Sequence, residues 1–271
     1  MPIVAHEACP EPPAEAIICR FMDFGKFRDL FANEELYFRR TDLFKEIDPT
    51  EALPPDEYVR RTLGLTKYDL HDELKLNHDQ AFNRQISEAE YIQCWQMFEG
   101  ESLDMWARYG GGVAIFSRFE LLKSILNSML DQIMVGLVRY GDDGPTRYNL
   151  THFLFMKRKH FDMERELRAV LTCYDPVGGA NRHIGLNGFP HREPLDGENP
   201  LHEWVHKYKR RRIDLKSLVT EVRLSPWATE EEFEEAKTWV RAKGYSCPVA
   251  RSQLTSPLTP TLEEFRKRGS K

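Results

Sequence analysis

The sequence predicts an α+β fold: a single domain with a mixed, partly antiparallel sheet and flanking helices. Three observations predict it. Short apolar runs of strand length alternate irregularly with segments of helical period. No internal repeat is present, and no strand is followed by a G-x-G-x-x-G or P-loop glycine pattern, so the usual nucleotide signatures of α/β folds are absent. The chain has 271 residues, 41% hydrophobic and 30% charged, enough to bury a full core and too ordinary for a collagen-like, disulfide-framework or disordered chain.

Residues 1–15, "MPIVAHEACPEPPAE", carry four prolines and three glutamates without an apolar period and read as a disordered tail. The domain is placed at 16–256. "AIICRFMDF" is a strand, Gly25 breaks it, and "KFRDLFANE" sets Phe27, Leu30 and Phe31 at helical spacing. "ELYFRR" is a second strand, Pro49, Pro54 and Pro55 mark a loop, and 56–88 is polar and helical. "YIQCWQMF" is rich in β-favouring aromatics and predicts a buried strand. "ESLDMWARY" follows as a helix, "GGGVAIFS" as a glycine turn and strand, "RFELLKSILNSMLDQI" as an amphipathic helix, and "MVGLVRY" as another strand. A helical stretch at 150–163 leads into the strand "RELRAVLTCY".

Residues 178–200 form a long Gly-, Pro- and Asn-rich loop. "IDLKSLVTEVRLSP" is strand-like. Thr229 with Glu232 makes a capping box for a helix whose apolar face is Phe233, Ala236 and Val240 and whose end is Gly244. "SCPVARSQL" is the last strand, and 257–271 is a charged C-terminal tail.

A net charge of −5 gives no reason to expect nucleic acid or a membrane surface as a bulk electrostatic partner. No apolar run is long enough to span a membrane, and no signal-peptide pattern opens the sequence. The five cysteines are scattered singly, which argues against a zinc knuckle or a disulfide framework. The expected location is the cytoplasm.

One short motif points elsewhere. His202, Glu203 and His206 stand as H-E-x-x-H, which on a helix would give a zinc hydrolase two ligands and a general base. Yet "EWVHKYKRRRID" alternates with period two, and on a strand the two histidines lie about 13 Å apart, too far to share an ion. No metal is expected.

Two other stretches concentrate chemistry. "CWQMFEGESLDMWARYGGGVAIFS" brings Cys94, Trp95, Glu101, Ser102, Trp106 and Tyr109 together, a set that can form an aromatic slot with polar handles. The plain alternative is a core tryptophan pair with Ser102 as a helix N-cap. In "KRKHFDMERELRAV", Glu164 and Glu166 share a side if the chain is extended, with Arg168 joining them. Here the plain alternative is a salt-bridged surface strand.

With these motifs in view, the chain resembles a widespread bacterial domain family of unknown function, frequently encountered near phage-defence genes. The resemblance rests on Cys94-Trp95, Glu101-Ser102, Met105-Trp106, Tyr109, the run Gly112 to Ile115, and Lys157-Arg158, Phe161, Glu164, Glu166 and Arg168. It covers about 16–255 and departs at the family's turn, where Phe44 and Asp48-Pro49 are spaced apart. The order of Arg20, then Ser102 with its aromatics, then Glu164 and Glu166 is also similar to the R-S-E layout of ADP-ribosyltransferases.

That second resemblance implies an ADP-ribosyltransferase-like core and NAD as cofactor. It implies Glu166 as the carboxylate that stabilises an oxocarbenium-like centre, Glu164 and Ser102 beside it, and Arg20, Trp106, Tyr109 and Glu101 as cofactor contacts. The partner would be a small-molecule ligand or substrate, with a macromolecular acceptor left open. A non-catalytic ligand-sensing or interaction module of a defence system is the competing class, and a zinc hydrolase the third.

Overall fold

The computed structural model describes residues 3, 6–7, 9–46, 48–66, 69–87, 90–141, 150–172, 207–256 and 259–269. In chain order the first elements are β1 Ile17–Met22, α1 Phe24–Asn33, β2 Glu35–Arg40, a 3-10 turn at Thr41–Glu46, α2 Asp56–Leu63, α3 Leu70–Ser87 and β3 Glu90–Met97. Then come α4 Leu103–Arg108, β4 Val113–Arg118, α5 Phe119–Asn127, β5 Ile133–Leu137, β6 Arg139–Tyr140, α6 Leu150–Leu154 and β7 Met156–Lys157. A 3-10 turn at Lys159–Glu164 leads to β8 Glu166–Thr172 and β9 Tyr208–Arg212. The last elements are α7 Leu215–Leu218, β10 Glu221–Leu224, α8 Glu230–Ala242, β11 Val249–Arg251 and α9 Leu262–Gly269. The predicted class holds: helices flank a mixed, mostly antiparallel sheet. No helix of the described residues is long and apolar enough to cross a membrane.

The chain divides into two compact units, residues 1–11, 37–93 and 129–210, and residues 12–36, 94–128 and 211–271. Three of the five boundaries fall within β2, β3 and β9.

In the first unit, β5 runs antiparallel to β8, from Ile133 opposite Leu171 to Leu137 opposite Leu167. β8 also pairs with β3, and β2 meets β3 with Arg39 opposite Ile92. β9 lies beside β2, where the Arg40 amide donates to the Lys207 carbonyl at 3.1 Å. The stretch expected to be a loose tail has ordered contacts here. Cys9 is buried against Gly136, and the Leu137 amide donates to the Pro10 carbonyl at 2.8 Å. A Cβ on Gly136 would come within 2.6 Å of the Cys9 backbone, so only glycine lets the two chains approach this closely.

In the second unit, β1 and β4 pair antiparallel from Ile17–Arg118 to Met22–Val113. β10 pairs antiparallel with β4, and β11 parallel with β10. The "GGG" run is needed at its last position for space: a Cβ on Gly112 would fall 2.3 Å from the Met22 carbonyl oxygen. α1 starts where Asp23 accepts from the Lys26 amide, and it buries Phe27, Leu30 and Phe31, the three residues whose spacing predicted it. α8 begins with the full Thr229–Glu232 capping box.

Three stretches differ from expectation. The strand-like reading of "IDLKSLVTEVRLSP" holds only for β10. Before it, Asp214 accepts from the Ser217 amide and caps α7, which buries Leu215 and Leu218. The helix expected at 150–163 ends at Leu154 and gives way to β7 and a 3-10 turn. The charged tail contains α9, opened by Thr261 and Glu264 in the same reciprocal arrangement as Thr229 and Glu232. The loop at 178–200 lies outside the described residues.

Candidate functional site

The densest chemistry of the first unit is a buried charge cluster built by β8. Glu166 and Arg168 are two apart on one strand, so they share a face. Both are almost fully buried, at 3% and 1% exposed. Arg168 Nε donates to Glu166 Oε1 at 2.8 Å, and Nη2 to Oε2 at 3.2 Å. Its Nη1 donates to the Leu154 carbonyl at 2.7 Å, and Nη2 lies 2.6 Å from Glu51 Oε1. Lys157, at the end of β7, donates to Glu164 Oε2 at 2.6 Å and Glu166 Oε2 at 3.1 Å, and stands 3.7 Å from Glu51. The Glu166 amide donates to the Tyr140 hydroxyl at 2.7 Å.

Glu164 reaches this cluster by a route that strand alternation does not describe. It ends the 3-10 turn, and Arg165 takes a left-handed conformation, φ 41°, before β8 begins. The pair Glu164–Glu166 therefore converges on Lys157 through a tight turn. The alternative of a salt-bridged surface strand is corrected too, because the ion pairs are buried.

Three carboxylates, Glu51, Glu164 and Glu166, thus share two cations, Lys157 and Arg168. Burial pushes the Glu51 carboxyl above its ordinary value against the opposing pull of Arg168 and Lys157, and the nearby Glu166 adds to the rise. For Lys157, burial alone would lower the ammonium. Glu166, then Glu51 and Glu164, outweigh burial and the repulsion of Arg168, and hold it above its usual range. Burial likewise raises the Tyr140 phenol. Beside the cluster, Arg158 pairs with Asp48 at 2.8 Å.

Glu51 and Tyr140 were not singled out by sequence reasoning. The nearest signal is the acidic pair in "IDPTE" set against the basic "KRK", and opposite charge alone does not identify partners far apart in sequence. The Asp48-Pro49 turn is the segment that delivers both Asp48 and Glu51.

The second unit holds a different carboxylate. Glu101 Oε1 accepts from Arg223 Nη1 at 2.9 Å and from the Gln253 amide at 3.0 Å. Its Oε2 accepts from Trp106 Nε1 at 3.2 Å and from the Ser252 hydroxyl. Four donors from α4, β10 and the segment after β11 thus converge on one side chain. Trp106 is fully buried, edge-on to Phe21 at 4.7 Å, in a cluster with Cys19, Met105, Ala114 and Phe116. Tyr109 stacks on Phe21 at 5.9 Å, and its hydroxyl accepts from Gln96. Ser102 occupies the N-cap position of α4 without a side-chain capping bond. Arg20 is half-buried on β1, opposite Ile115.

The residues that the R-S-E resemblance implies as catalytic or cofactor contacts fall in two units, Glu164 and Glu166 in the first, Arg20, Glu101, Ser102, Trp106 and Tyr109 in the second. As placed, Trp106 and Glu101 do not offer the cofactor contacts expected of them. The Trp106 ring has no accessible face for a nicotinamide, and both Glu101 oxygens are committed to protein donors. His202, Glu203 and His206 lie outside the described residues. Among the described residues no group of three or more His, Cys, Asp or Glu side chains is arranged to hold a metal ion. No known family model, curated protein or solved structure was found to match this chain.

Proposed function

We propose that this chain is a non-catalytic binding module, of the ligand-sensing or interaction kind that its resemblance to defence-associated domains implies. One observation carries the reading: Glu166 is 3% exposed, and both its oxygens are held by Arg168, with Lys157 on the second. A carboxylate that stabilises a developing positive centre must face the substrate. This one faces two protein cations, and its charge is already compensated. Its role is to seat β8 against the Asp48–Glu51 turn and β7.

The test compares wild type with Glu166→Gln for NAD consumption and thermal unfolding on the same preparations. The expected outcome is no NAD turnover by either protein and a lower melting temperature for the variant. Hydrogen bonds to charged groups are worth about 1.5–3 kcal/mol, and each kcal/mol shifts the midpoint by about 2–4 °C at this size. NAD turnover by wild type that disappears in Glu166→Gln at an unchanged melting temperature would replace this reading with a transferase.

A further inference from the structure

The run Lys207 to Arg212, "KYKRRR", has five cations in six residues, in a chain whose net charge is −5. Bulk charge therefore says nothing about this strand. Alternation along β9 sorts the run by face. Lys209 is buried, with its ammonium 5.1 Å from the Tyr91 ring centroid, while Tyr208 and Arg210 point the other way and are exposed. Tyr208 is 46% exposed and stacks on Tyr37 of β2, centroids 5.2 Å apart at 29°. The Arg210 guanidinium lies 5.7 Å from the Tyr208 centroid and 6.0 Å from that of Tyr37. Lys207 precedes the pair and is exposed.

Cations on a strand beside solvent protect a sheet from unwanted pairing, and that would account for Lys207 and Arg210. It does not account for two stacked phenol rings with one half-open to water. Large aromatic surface with cations at its rim suits a planar, anionic, repeating ligand. We propose that this face of β2 and β9 binds single-stranded nucleic acid, with a base stacked on the exposed part of Tyr208 and the adjacent phosphates held by Arg210 and Lys207. A single strand is favoured over a duplex because stacking on a side chain needs an unstacked base, and a sheet face takes splayed bases without entering a groove. Successive exposed positions of a strand lie about 6.6–6.8 Å apart, which suits contacts repeated along an extended backbone. The inference names a partner for the binding module and rests on that reading to this extent, but it uses none of the residues of the buried cluster.

The test is fluorescence anisotropy of a labelled oligothymidylate, longer than the ~4–16 nucleotides that one such surface covers, titrated with the full chain at several salt concentrations. Wild type should bind, with log K falling linearly in log salt by about 0.7 for each phosphate contact. Tyr208→Ala should weaken binding about tenfold with the salt slope kept, since stacking is uncharged. Tyr208→Phe, which keeps the ring, should bind as wild type does. Arg210→Ala should lower the slope by about 0.7. Both positions are exposed, so circular dichroism and melting temperatures should match wild type. Absence of binding at low salt, equal binding by Tyr208→Ala, or equal binding of the duplex and of heparin would each overturn the inference. The module reading survives such a result if NAD turnover is absent and Glu166→Gln still melts early; it fails separately if NAD is consumed through Glu166.

Discussion

Glu166 and Glu101 are both carboxylates withdrawn from solvent, and the two units satisfy them by opposite means. Around Glu101, one cation and three neutral donors (an indole, a hydroxyl and a backbone amide) share one negative charge. Around Glu166 the donors are a lysine and an arginine that also serve Glu51 and Glu164. The first arrangement disperses a charge among fixed dipoles and fastens α4 to the segments around β10 and β11. The second balances charge against charge, three against two, so every member depends on the others. A buried network of this kind is costly to break at one point, because the remaining charges lose compensation where water cannot replace it.

The comparison breaks most decisively at Arg168, which touches Glu166, Glu51 and the Leu154 carbonyl. Arg168→Ala leaves three carboxylates with one lysine and should cost about 3–5 kcal/mol of unfolding free energy, read from urea denaturation. A loss near that of a surface substitution would show that the network carries no stability. Glu101→Gln tests the other arrangement. Removing one charge from a mainly neutral donor set should cost about 1–3 kcal/mol, less than Arg168→Ala under identical conditions. If the order is reversed, the contrast between dispersed and mutual compensation is wrong.

The smallest effect is a dependence on pH. Folding raises the Glu51 carboxyl above the reference of 4.5, because burial disfavours its charge more than Arg168 and Lys157 favour it. A group raised in the folded state contributes stability that is fully present below its unfolded value and is lost as pH climbs through its folded value. Melting temperatures of wild type and Glu51→Gln, measured from below 4.5 towards neutrality, should therefore shift in favour of the variant as pH rises. A shift towards wild type would mean that the pull of Arg168, 2.6 Å away, and of Lys157 outweighs the effect of burial.

The sequence by itself determined whatever depends on neighbours a few residues away. Thr229 and Glu232 announced α8, Phe27, Leu30 and Phe31 announced α1, and the period-two pattern before Ile213 announced β9. The same local logic governs α9 at Thr261 and Glu264 and α7 at Asp214. Tertiary structure alone decided the carboxylates. Glu164 and Glu166 were visible as a pair, but their burial, the arrival of Glu51, and the donation of the Glu166 amide to Tyr140 depend on which strands and turns come together. Trp106 and Glu101 were likewise visible as polar and aromatic neighbours, while Arg223 and Ser252 reach them from more than a hundred residues away. Periodicity and capping are properties of a few consecutive backbone units. The compensation of a buried charge is a property of the space around it, and that space is assembled only when distant segments pack.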